Sequence, residues 1–138
     1  MLSEELKERI REAYAAIVES KSLTPRWGQR QMIAEIANTL ARLPAAGDTD
    51  SDAPAVCVIE AGTGTGKTIA YAVAAIPLAQ ALNKRLVVAT ATVALQEQFV
   101  HKDLPDIRDS SGLDFSFALA KGRRRYVCLS KLDRLLAQ

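Results

Sequence analysis

Nine residues, Glu60-Ala-Gly-Thr-Gly-Thr-Gly-Lys-Thr68, limit what this chain can fold into more than any other stretch. The apolar run Ala55-Val-Cys-Val-Ile59 before them reads as a buried strand. The apolar stretch Ile69 to Leu82 after them reads as a helix packed on a sheet, with Pro77 expected to kink it. Gly62, Gly64 and Gly66 therefore fall at a strand-to-helix turn. Glycines at alternate positions remove the β-carbons that would hold a polyphosphate away from the backbone. They also admit positive φ angles, so that successive N–H groups converge on phosphate oxygens. A helix starting near Gly66 adds its unpaired N–H groups and the positive end of its dipole. In this pattern Thr63 and Thr65 complete the loop, Lys67 brings a mobile charge to the β- and γ-phosphates, and Thr68 offers a hydroxyl to magnesium. The strict pattern asks for glycine at position 61, where Ala61 stands. The later glycines make the close approach, and alanine suits a strand end. A Gly-rich turn followed by a surface lysine is the plain alternative, but strand, loop and helix together favour nucleotide binding.

The 138 residues leave room for one modest domain. A net charge of +2 is too small to identify a partner, but its distribution is uneven. Residues 1–20 hold five acids against three bases, whereas Lys121, Arg123, Arg124, Arg125, Lys131 and Arg134 face only Asp133 near the end. Basic blocks of this kind often meet phosphates. Of the two cysteines, Cys57 lies in the expected buried strand, where a thiol behaves as a small hydrophobe, and no disulfide is expected. The acidic N-terminal stretch lacks the apolar segment of a signal peptide. The longest apolar run, Ile69 to Ala79, falls well short of the roughly 20 residues that cross a bilayer. No membrane partner is implied, and the cytoplasm is the expected location.

Taken in order, Ser3 is placed to cap a helix running to about Ser20, with Leu6, Ile10, Ala13 and Ile17 at helical spacing. Pro25 marks a connector. A second helix then follows, with Met32, Ile33, Ile36, Ala37, Leu40 and Leu43 on one side. Pro44 to Pro54 reads as a polar loop and as the most mobile internal segment. Beyond the glycine-rich turn, Arg85-Leu-Val-Val-Ala-Thr90 reads as a second buried strand, and Thr92 as the cap of a helix to about Lys102. Phe115-Ser-Phe-Ala-Leu119 reads as a third strand, and a last helix is expected over Ser130 to Ala137. Strands alternating with helices imply an α/β fold, a parallel sheet with right-handed crossovers.

Four segments align, in order, with one family. Pro25-Arg26-Trp27-Gly28-Gln29-Arg30-Gln31-Met32 resembles the adenine-reading segment of superfamily 2 helicases, in which the glutamine corresponding to Gln29 recognises the base. Glu60 to Thr68 looks like the helicase Walker A loop, where alanine commonly replaces the first glycine. Val88-Ala-Thr90-Ala-Thr92-Val-Ala-Leu95-Gln96 resembles the helicase motif whose threonines contact nucleic-acid phosphates. Lys121-Gly-Arg-Arg-Arg-Tyr-Val-Cys128 is similar to the segment leading into the first iron–sulfur cysteine of the DinG/XPD branch, with Arg125 where asparagine is often found.

This resemblance implies an ATP-dependent DNA helicase with two RecA-like motor domains, ATP and magnesium as cofactors, a [4Fe-4S] cluster and single-stranded DNA as partner. Residues 69–138 contain no apolar strand ending in a paired acid, and four cluster thiolates cannot come from two cysteines. The reading is therefore an N-terminal portion of such an enzyme. Residues 1–20 form a leading helix, 21–120 a partial RecA-like P-loop NTPase domain, and 121–138 the start of the cluster region. The rest of the helicase is then a missing partner, and the cluster is not expected to be stably held. The resemblance assigns Lys67 and Thr68 to catalysis. Gln29, Gly62, Thr63, Gly64, Thr65 and Gly66 join them in nucleotide binding. Thr90, Thr92, Arg123, Arg124 and Arg125 fall to nucleic acid, Thr68 to magnesium and Cys128 to a first iron–sulfur ligand. Plainer roles stand beside each. Gln29 also fits a helix start, Thr90 and Thr92 a strand end and a cap, the arginines a solvated face, and Cys128 an inert thiol. A non-motor P-loop protein, a small phosphotransferase or an inert truncated product would share the loop.

Overall fold

The computed structural model describes residues 2–45, 47 and 55–137. Among the described residues there are six α-helices: α1 (Glu4–Ser20), α2 (Trp27–Leu40), α3 (Lys67–Ala81), α4 (Val93–Gln98), α5 (Leu104–Ser111) and α6 (Leu129–Leu136). A π-helical turn, Phe99–Asp103, joins α4 to α5, and a 3-10 turn, Arg123–Arg125, precedes α6. Most of the polar loop expected over Pro44 to Pro54 lies outside the described residues.

Local chemistry accounts for the ends of these helices. Ser3 Oγ accepts from the Leu6 N–H at 3.2 Å, the N-cap bond that its position before two glutamates suggested. Lys7, one turn on, donates to Glu4 at 2.6 Å and holds that carboxyl below its ordinary value. Gly112, at φ +69°, ends α5 in the left-handed conformation that glycine adopts most readily.

The core forms where α3 packs against α1 and α2, with α5 closing over α1. Ile10, Ala13, Tyr14 and Ile17 face in from α1, and Met32, Ile33 and Ala37 face in from α2. From α3, Ala70 and the unbroken run Ala72 to Leu78 are buried. The all-round apolarity of this helix is thus spent on other helices. Polar ties close the package at its rim. Arg9 donates to Gln80 at 2.7 Å, Gln80 donates to the Asp114 carbonyl at 2.6 Å, and Lys21 pairs with Asp106.

The expected parallel sheet is not formed, and this corrects the α/β, RecA-like reading. Among the described residues no strand is assigned. The runs 55–59, 85–90 and 115–119 lie in irregular segments, with no backbone hydrogen bond joining one to another. A strand is stabilised by the ladder and by covered faces, neither of which is local to it. Here Val56, Val58 and Val87 are 74%, 91% and 79% exposed, and Cys57, expected in a core strand, is exposed as well. Among the described residues of these stretches, only Ile59 and Phe115 reach the edge of the helical core.

Candidate functional site

The glycine-rich turn sits at the head of α3 and is tied to α2. Gly66 caps α3 at φ +77°, and Gly64 occupies the same left-handed region at φ +74°, so two of the three glycines are required by conformation. Arg26 Nη1 donates to the Gly64 carbonyl at 2.7 Å, and Gln29 Nε2 donates to the Gly66 carbonyl at 3.1 Å. A trans peptide sends its carbonyl and its N–H in opposite directions. Anchoring these two carbonyls on α2 therefore aims the N–H groups of Thr65 and Lys67 away from it.

Lys67, in the first turn of α3, folds its ammonium over the loop and donates to the carbonyls of Ala61 at 2.7 Å and Gly62 at 2.8 Å. Thr65 Oγ1 donates to the same Gly62 carbonyl at 2.8 Å. Among the described residues no carboxylate pairs with Lys67; neutral dipoles hold its charge, and a polyphosphate can displace them. Thr63 lies exposed in the loop. Burial raises the Tyr71 phenol above its ordinary 10.0, against the opposite pull of the Thr68 hydroxyl one turn back and with help from the charge of Asp103. The Tyr71 ring packs 5.8 Å from Phe99, which seats the end of α4 against α3.

The residues assigned to nucleic acid gather around α4. Thr92 caps that helix through the Leu95 N–H at 3.2 Å, and Thr90 Oγ1 donates to the Thr92 carbonyl at 3.2 Å. Arg125 donates to Gln96 at 2.6 Å, and Gln96 in turn donates to the Ala120 carbonyl at 3.1 Å. Glu97 collects Arg125 at 3.3 Å, Lys121 at 3.7 Å and His101 at 2.9 Å. The basic segment is thereby docked on the C-terminal half of α4, the helix that Thr92 caps. Arg123 and Arg124, exposed and without an acidic partner among the described residues, flank a groove of about 620 Å³ shared with Tyr126, Cys128 and Lys131. No hydrogen bond joins Thr90 or Thr92 to the glycine-rich turn among the described residues.

Three contributors escaped the sequence reading. Tyr14 and Glu97 were not singled out at all, and Arg26 stood only within a quoted segment. Their contacts across 15, 38 and 28 residues have no local signature.

Among the described residues no three acids, histidines or cysteines converge as a metal group. Thr68, in the first turn of α3, would supply one hydroxyl to a magnesium ion. A four-iron cluster needs four thiolates. Cys57 and Cys128 are both free and exposed in separate segments, so the residues of this chain do not fit such a cluster.

Comparison with known proteins finds curated relatives that are named ATP-dependent helicases. No family profile matches the chain. It is 43% identical over 138 residues to the ATP-dependent DNA helicase DinG of Photobacterium profundum, covering 99% of the chain and 19% of that relative. To the ATP-dependent DNA helicase DinG of Escherichia coli K12 it is 42% identical over 135 residues, and to the ATP-dependent helicase DinG of Mycobacterium tuberculosis 39% over 135 residues. Along nearly its whole length the chain is homologous to DinG-type helicases, and it spans about a fifth of their length.

Proposed function

We propose that this chain is the N-terminal, nucleotide-gripping portion of a DinG-type ATP-dependent DNA helicase working in the cytoplasm. The observation that carries the reading is Lys67. It sits in the first turn of a helix capped by a left-handed glycine, its charge is opposed among the described residues only by the loop carbonyls of Ala61 and Gly62, and neighbouring N–H groups are turned away from α2. The backbone from Gly62 to Gly66 encloses the phosphates, Lys67 neutralises the β- and γ-oxygens, and Thr68 would hold magnesium, which would neutralise further phosphate charge. Gln29 retains one N–H and one carbonyl lone pair beyond its bonds within the fold, the complement that adenine recognition requires.

Calorimetric titration with magnesium-ATP tests this. Lys67→Ala removes a charge-assisted contact of about 1.5 to 3 kcal/mol, so affinity falls roughly 10- to 150-fold. Equal affinity in wild type and variant removes the phosphate assignment. Gln29→Ala narrows the preference for ATP over GTP, and an unchanged ratio confines Gln29 to a structural role.

The docking of Arg125 and Lys121 on α4, the helix that Thr92 caps, supports a single-stranded DNA contact through Thr90, Thr92 and Arg123 to Arg125. Backbone phosphate contacts release counterions, so affinity falls steeply with salt and varies little with sequence. Fluorescence anisotropy across a salt series decides it, and a flat response rejects the electrostatic track.

A further inference from the structure

Gln29 and Ser111 are the buried polar residues of the described chain, and Gln29 is 7% exposed. Both ends of its amide are committed. Tyr14, itself 9% exposed on α1, donates its phenolic hydrogen to Gln29 Oε1 at 2.8 Å, and Gln29 Nε2 donates to the Gly66 carbonyl at 3.1 Å. The Gly66 carbonyl can only accept, so the amide must turn Nε2 toward the loop, and the phenol, able to donate or accept, donates to the Oε1 left at the other end. The Tyr14 hydroxyl thus anchors the end of Gln29 that faces away from the loop.

The approach at Gly66 is close. A β-carbon added there would stand 2.1 Å from Gln29 Nε2, so the amide fills the space that glycine leaves open. The same Gly66 carbonyl also accepts from the Ala70 N–H at 3.1 Å, the first bond of α3. One carbonyl therefore joins the start of α3, the α2 amide and, through that amide, α1.

We infer that Tyr14 is a positioning residue for the phosphate site: its hydroxyl orients Gln29, and Gln29 holds the Gly66 peptide so that the Lys67 N–H is presented to phosphate. The inference rests on the phosphate-loop reading above. It differs from adenine recognition because it requires no base. A nucleotide enters a loop whose peptide planes are already set, so less of the binding free energy goes into ordering it.

The test uses a probe that has no base, magnesium-tripolyphosphate, titrated into wild type, Tyr14→Phe, Gln29→Met and Lys67→Ala. Tyr14→Phe keeps the buried ring and loses only the hydroxyl. It lowers tripolyphosphate affinity about three- to tenfold, the loss expected of one neutral hydrogen bond. Gln29→Met, close in volume, loses at least as much, and the double variant loses no more than Gln29→Met alone, because the hydroxyl acts only through the amide. A purely structural tyrosine predicts a lowered melting temperature with tripolyphosphate affinity intact. The inference is overturned if Tyr14→Phe binds tripolyphosphate like wild type while Lys67→Ala loses it. If Lys67→Ala also binds unchanged, the phosphate-loop reading has failed and the brace falls with it. Should Tyr14→Phe lose its helical circular dichroism, Gln29→Met decides alone by the same comparison.

Discussion

Substituting alanine at each glycine of the turn separates conformational cost from contact cost. At Gly64, φ is +74° and nothing lies within 4 Å of an added β-carbon, so Gly64→Ala pays only for the left-handed backbone, about 1–2 kcal/mol. At Gly66, φ is +77° and the backbone cost is the same, but the new β-carbon would stand 2.1 Å from Gln29 Nε2. A free side chain would swing aside cheaply. This one is buried and held by Tyr14, so moving it breaks its bond to the Gly66 carbonyl and strains the phenol bond, adding about 1–3 kcal/mol. Gly66→Ala should therefore cost roughly 2–5 kcal/mol in total, a large share of the 5–15 kcal/mol typical of a folded domain. Gly62 has neither a positive φ nor a close neighbour, and Gly62→Ala should fall within about 0.5 kcal/mol of wild type. Urea unfolding followed by circular dichroism gives the three values. In a Gln29→Ala background the contact cost vanishes, so Gly66→Ala should cost no more than Gly64→Ala, a coupling of about 1 kcal/mol or more. Equal costs at positions 64 and 66 in the wild-type background, or strict additivity with Gln29→Ala, would refute the argument.

Two further outcomes follow from the geometry around α4. Burial raises Tyr71 above its ordinary 10.0, so the neutral phenol is favoured in the folded chain. Its contribution is complete below about pH 10 and is lost as pH rises through the folded value, so the urea midpoint should fall above pH 10 less in Tyr71→Phe than in wild type. An identical alkaline decline in both would exclude Tyr71 as its source. Glu97 pairs with Lys121, Arg125 and His101 at a part-exposed surface, so Glu97→Gln should change stability by no more than about 1 kcal/mol. Removing that negative charge from the basic segment should raise affinity for single-stranded DNA at low salt, and an anisotropy titration showing weaker binding would contradict the proposed track.

All the described α-helices except α5, which no expectation covered, were legible in the sequence because their causes are local. Ser3 before Glu4 and Glu5, the i, i+3, i+4 spacing of Ile10, Ala13 and Ile17, and Thr92 three residues before Leu95 each act within one or two turns. The glycine requirement of the turn was legible for the same reason, since Gly64 and Gly66 follow from the backbone at those positions alone. The sheet was not determined in this way. The valine-rich runs around Val58 and Val87 carry strand propensity, but pairing needs a partner far along the chain, and in the folded molecule α3 is covered by α1 and α2 while those valines stay exposed. The tertiary structure also decided what holds the candidate site. Arg26 and Gln29 lie more than 35 residues before the carbonyls they grip, and Tyr14 lies on another helix altogether. Such contacts arise only when packing brings α1 and α2 alongside the head of α3, because a hydrogen bond depends on distance and direction in space and carries no trace in the spacing of residues along the chain.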